Sequence, residues 1–131
     1  MPPEALIARR EAEAALLASI LVWPQIIGEV KANIMPEDFH DAQFHGLHVR
    51  IFRAMCLCTS PDQCSVAAKL NETQQLKPGD CTYLCELVAG SFGKSTQTFY
   101  YDPNNYQDYI RTIRQYVKRP SPEPIRGGWT L

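Results

Sequence analysis

The sequence has no surplus of positive charge: 13 lysines and arginines face 14 aspartates and glutamates, a formal net charge of -1. A protein that grips duplex DNA through its phosphates needs a basic excess, because each neutralised phosphate takes a Lys or Arg. Direct, sequence-specific DNA binding is therefore not expected. Nor does any apolar run approach the roughly 20 residues of a membrane span. Glu4, Arg9, Arg10, Glu11 and Glu13 interrupt the start of the chain, so a secretory signal is not expected either. Five cysteines are an odd number. Without export there is little reason for disulfides, and a reducing cytoplasm is the expected compartment. No β-hairpin signal and no internal repeat is present.

What is there reads as helices. At 131 residues, 45% of them apolar, the chain has the size and composition of one folded domain. Glu4 to Val22 lacks Pro and Gly and is rich in Ala and Leu, which predicts a first helix. Leu6, Ala14, Leu17 and Leu21 form its inner stripe, with Arg9, Arg10, Glu11 and Glu13 on the solvent side. Trp23-Pro24 marks a bend, and a short helix follows to Asn33. The central helix is expected from Asp41, its cap, to about Cys58, with Phe44, Leu47, His48, Ile51, Phe52 and Met55 on one face. Ser65 is expected to cap a fourth helix ending near Leu76, and Asp80 a fifth ending at Gly90. Asp102-Pro103 opens a sixth, on which Tyr106, Tyr109, Ile110, Ile113 and Val117 are apolar. The fold class is all-α, a compact bundle of about six short helices over residues 1–119. Residues 120–131 are Pro/Gly-rich and read as a linker or tail.

Chemistry is sparse. Gly93 to Thr96 spells the end of a phosphate-binding loop. The first glycine of that motif would stand at position 88, which is Val88, and no buried strand precedes it. A surface loop is the better reading, and no cofactor is expected. Cys56, Cys58, Cys64, Cys81 and Cys85 do not match the paired spacing of structural zinc, and buried free cysteine behaves as a small hydrophobe. No metal is assigned. His48, within the apolar register, reads as a satisfied core or interface histidine rather than a ligand. No catalytic residue is identified, since no nucleophile or carboxylate pair stands in a recognisable setting. Arg111, Arg114, Lys118 and Arg119 form the one local basic cluster. It is either a solvated face at a helix carboxyl end or a patch for an acidic partner or a passing DNA strand.

In order, these segments resemble the N-terminal domain of the bacterial replicative DNA helicase, the DnaB family. Glu11 to Leu17 is similar to that family's opening helix, and Glu37-Asp38-Phe39 to its acidic-acidic-Phe turn. His48, Ile51 and Phe52 match its His, two residues, Ile, Phe pattern. Tyr83 to Leu87 resembles its Tyr-Leu-Ala-Glu-Leu helix, and Tyr109 to Arg114 falls where the next helix begins. The resemblance spans about Pro2 to Arg119. About one extra helical turn separates Phe39 from His48, a length that a 3.6-residue period absorbs with the same face inward.

The resemblance implies a noncatalytic collar domain that self-associates and contacts primase, helicase loader or helicase subunits in DNA replication. After the stretch that Pro2 to Arg119 resembles, the family continues into a helical hairpin and an ATPase domain, so motor chemistry is not expected within these residues. The rival reading is a stand-alone phage or mobile-element regulator that binds a helicase or primase. A nucleotide-binding enzyme using Gly93 to Thr96 ranks last. Partner-binding candidates are Tyr106, Tyr109, Arg111, Arg114, Tyr116 and Lys118 on the last helix. Its excess apolar surface suggests a weak homodimer, or a monomer with a tyrosine-rich face awaiting a partner, rather than a stable hexameric ring.

Overall fold

A computed structural model describes residues 3–90 and 101–117. Six α-helices are present there: α1 (Pro3–Val22), α2 (Ile27–Asn33), α3 (Leu47–Cys56), α4 (Gln63–Glu72), α5 (Asp80–Gly90) and α6 (Tyr106–Arg114). Short 3-10 turns lead into α2, α3 and α6, and no strand occurs among the described residues. The all-α expectation holds.

The centre of the bundle is α1, not the helix around Phe52. Every residue from Ala12 to Leu21 is buried, and α3, α5 and α6 all pack on this helix. The cause is visible in composition: after Glu13 the helix reads Ala-Ala-Leu-Leu-Ala-Ser-Ile-Leu-Val, apolar on all sides, and such a helix must be enclosed. Leu6, expected in the inner stripe, is exposed instead, because it lies on the projecting first turns. Ser19, the one polar residue of the enclosed stretch, satisfies its hydroxyl on the Ala15 carbonyl at 2.7 Å.

At Trp23-Pro24 the chain turns through 115° into the segment carrying α2. No single described helix is long and apolar enough to cross a membrane.

The approach to α3 departs from the expected continuous helix. Ala42–Phe44 is a 3-10 turn, and His45 takes a left-handed backbone at φ 51°. The helix begins only at Leu47, so Phe44 falls out of register and is 78% exposed. Asp41 still caps it, from a distance in sequence: Oδ2 accepts from His48 N at 2.9 Å and Oδ1 from Val49 N at 3.1 Å. To do so its side chain lies over Gly46, where a Cβ would sit 2.6 Å from the Asp41 Cβ. Only glycine fits there. The remaining face of α3 is as expected, with Ile51, Phe52 and Met55 fully buried and Phe52 against Phe39 at 4.9 Å between ring centres.

Further on, α4 starts two residues before Ser65, and its cap is Asp62, whose Oδ1 accepts from Ser65 N at 2.8 Å. It stops at Glu72 rather than Leu76, where Gln74 turns left-handed at φ 61°. Asp80 does more than cap α5. Buried itself, it accepts from Lys77 N at 2.9 Å and pairs with Arg50 of α3 at 2.6 and 3.3 Å. The expected cap before α6 is present: Asp102 Oδ1 accepts from Asn104 N at 3.0 Å with Pro103 in the first turn. The helix ends at Arg114, a turn earlier than the apolar pattern implied.

Two phenylalanines eight residues apart should therefore respond in opposite ways. Phe52→Ala is expected to cost about 3–5 kcal/mol through loss of a buried ring, whereas Phe44→Ala should change stability by less than about 0.5 kcal/mol. Urea unfolding of both variants measures the difference, and equal midpoints would contradict this placement of the core.

Candidate functional site

Two sites stand out, one on the surface and one inside. On the surface, α2 and α6 flank an open groove of about 610 Å³ lined by Glu29, Asn33, Gln107, Ile110, Arg111, Arg114 and Gln115. Its ends are tied by hydrogen bonds across the two helices. The Tyr106 hydroxyl donates to Glu29 Oε1 at 2.6 Å and Gln107 Nε2 donates to Glu29 Oε2 at 3.0 Å. The bond to Glu29 is also the leading reason that the Tyr106 hydroxyl is harder to ionise than usual. Arg114 reaches the Asn33 carbonyl at 3.4 Å. Arg111 is exposed and pairs with Asp108 one turn earlier on the helix.

The structure thus brings Tyr106, Arg111 and Arg114 together beside one groove. Tyr109 and Tyr116 are directed elsewhere and are half-buried. The Tyr109 hydroxyl donates to the Asp102 carbonyl at 3.1 Å and accepts from Asp102 N at 3.0 Å, closing the turn that starts α6. The Tyr116 ring lies 5.7 Å from the Arg9 guanidinium. Ile110 and Ile113 are buried, so the free apolar area on α6 is smaller than the sequence suggested. Lys118, the loop Gly93 to Thr96 and the tail 120–131 lie outside the described residues.

Inside, the structure assembles a cluster that sequence reasoning missed. Glu13, expected in solvent, is wholly buried. Its Oε1 lies 2.6 Å from His40 Nδ1 and 2.9 Å from His48 Nδ1, and its Oε2 accepts from His40 N at 2.8 Å. Arg9 Nε stands 3.5 Å from Oε2, an ion pair by distance but not a hydrogen bond. Burial works to raise the Glu13 carboxyl pKa, but the hydrogen bonds from His48 and His40 outweigh it and hold the group below its ordinary value. With Glu13 ionised, each Nδ1 carries the donated proton. The other edge of His48, Nε2, is 2.7 Å from the Tyr83 hydroxyl, whose pKa burial pushes up to about 12. That hydroxyl therefore stays protonated and can donate to a neutral ring. His48 is buried with both ring nitrogens hydrogen-bonded.

This cluster joins the very segments that carry the resemblance: Glu13 of α1, His48 of α3 beside Phe52, and Tyr83 of α5. The model of the DnaB-like helicase N-terminal domain matches residues 5–115, most of the chain. The chain belongs to that family. No curated protein matches it. The DnaB-like match supplies a replicative-helicase type of domain and agrees with the six-helix architecture. The stretch between Phe39 and His48 is not an α-helical turn: Ala42–Phe44 is a 3-10 turn and His45 is left-handed.

As for metal donors, Cys56 and Cys58 are half-buried free thiols, and Cys64, Cys81 and Cys85 are exposed. Burial pushes the Cys56 and Cys58 thiols up, away from the reactive thiolate.

Acid should expose the dependence on Glu13. Its carboxyl is lowered in the folded state, so the unfolded chain binds the proton more readily, and the stabilisation present above about pH 4.5 is lost as pH falls through the folded value. Asp80, for which hydrogen bonds from Arg50 and Lys77 outweigh burial, acts in the same direction. Glu13→Gln is expected to lower stability at neutral pH by about 2–3 kcal/mol, the scale of hydrogen bonds to a charged group. It should also flatten the loss as pH falls below about 5. Guanidinium unfolding from pH 7 down to about pH 3 measures both effects, and an unchanged slope below about pH 5 would contradict this role for Glu13.

Proposed function

We propose that the domain is a noncatalytic interaction module of DNA replication, which self-associates weakly and offers the α6 side to primase, a helicase loader or helicase subunits. Family membership supports a helicase-related role, and the observation that most favours the α6 side is the open groove with Arg111 at its edge. Arginine beside aromatic and polar groups is the composition of protein interfaces. An exposed ion pair within one helix is worth little, so Arg111 can exchange Asp108 for an acidic group on a partner at small cost. Tyr106 and Arg114 frame the same groove, whereas Tyr109 and Tyr116 contribute mainly by holding α6 in place. The absence of a net basic charge fits a protein partner better than duplex DNA.

Fluorescence anisotropy with purified primase and loader tests this reading. Arg111→Glu should weaken binding roughly tenfold, the effect of reversing one interface charge, with an unchanged melting temperature. Light scattering over a concentration series should show a monomer–dimer equilibrium. Full-strength binding by Arg111→Glu to both partners, or a hexamer persisting at high dilution, would refute it.

A further inference from the structure

We propose that Glu13, His40 and His48 form a binding site for a divalent transition-metal ion of the zinc type. Each offers one ligand atom, and the three atoms lie within 4.8 Å of one another. Two imidazoles and one carboxylate, with a fourth position open, is a donor set that zinc adopts. Hard cations such as magnesium prefer oxygen donors and are disfavoured by it.

The present spacing is that of hydrogen bonds. His40 Nδ1 and His48 Nδ1 stand 2.6 and 2.9 Å from one Glu13 oxygen. Tetrahedral bonds of about 2.0–2.1 Å separate donors by about 3.4 Å. Each ring therefore has to withdraw from the Glu13 oxygen by less than about 1 Å, and the two ring nitrogens, within 4.8 Å of one another, have to settle at the same spacing for an ion to take the place of the two shared protons. Metal binding through Nδ1 requires each neutral ring to carry its proton on Nε2 instead. For His48 that change costs no hydrogen bond, because the Tyr83 hydroxyl 2.7 Å away can accept from Nε2–H as readily as it donates to Nε2. Tyr83 then becomes the outer partner that orients a metal-bound imidazole. Glu13 is oriented already, its second oxygen held by His40 N at 2.8 Å.

Charge tempers the affinity. Arg9, 3.5 Å from Glu13 Oε2, opposes a second cation. It makes no hydrogen bond through Nε, and its Nη2 is held on the Asp38 carbonyl at 2.8 Å. The surrounding field at Tyr83 also contains the carboxylates of Glu86 and Asp41 against Arg10. His40, at 20% side-chain exposure, is the ligand through which an ion can enter.

Titration of the reduced protein with Co²⁺ at neutral pH tests the site. One equivalent should bind with visible d–d absorption and without the sulfur-to-cobalt charge-transfer band that the five cysteines would produce. Zn²⁺ should displace it and raise the melting temperature, as any ligand of the folded state does. His40→Gln, at the partly exposed ligand, should melt below the wild type without metal and, titrated at a temperature where circular dichroism shows it folded, lose at least about tenfold in affinity. No spectral change up to millimolar Co²⁺ would overturn the proposal. So would a thiolate-type spectrum that survives His40→Gln, which would place the metal on cysteine.

Discussion

A single carboxylate inside the bundle constrains the rest. Glu13 sits where the charged start of α1 meets its enclosed apolar half, and it cannot be buried ionised without donors around it. The donors come from two places distant in sequence, the His40 turn and α3. Through His48 the network extends to Tyr83 of α5. Removing one member leaves its partners buried and unsatisfied, which costs more than the net worth of the bonds themselves. Three helices and a turn are thereby committed to one arrangement.

Arg50, two residues after His48 and so on the opposite side of α3, repeats the device with Asp80. The pair is buried, bidentate, and joined to the backbone at both sides: Arg50 to the Gln75 carbonyl at 2.8 Å, Asp80 to Lys77 N. It thus fixes the α4–α5 connection against α3, where no apolar residue does so, since Glu72 to Gly79 are all exposed. One turn beyond His48 on α3, Phe52 makes the apolar contact with Phe39. By contrast α6 is fastened at its ends and along one side by Ile110 and Ile113, leaving Arg111 to solvent.

Helix number and most helix ends were legible because they depend on local signals: Pro24, Pro103 with Asp102, and Gly90. The resemblance was legible because its residues keep their order. What periodicity could not reveal was which helix the others surround. A charged residue counts as solvent-facing in any stripe analysis, and Glu13 is buried only because His40 and His48 arrive from 27 and 35 residues away. The all-apolar run after Glu13 was the available signal for an enclosed helix. Likewise Phe44 fits a helical register on paper, but His45 and Gly46 break the helix, and the break rests on Asp41 folding back over Gly46. On α6 the tyrosines looked surplus because their hydroxyl partners, Glu29 and the Asp102 backbone, cannot be inferred from spacing.

The polar network also answers a problem that α1 creates. A helix apolar on every side can be enclosed at many rotations with little difference in buried area, so hydrophobic burial alone leaves its orientation poorly fixed. One carboxylate that must meet two imidazoles admits a single rotation and a single axial position. Replacing such a network with apolar side chains is often neutral for stability or better, so its value lies in specifying one arrangement. For this domain that arrangement bears on where α6 lies, because α6 packs on α1. The placement of the outer face is thus tied to Glu13 through α1, although no atom of Glu13 reaches the surface.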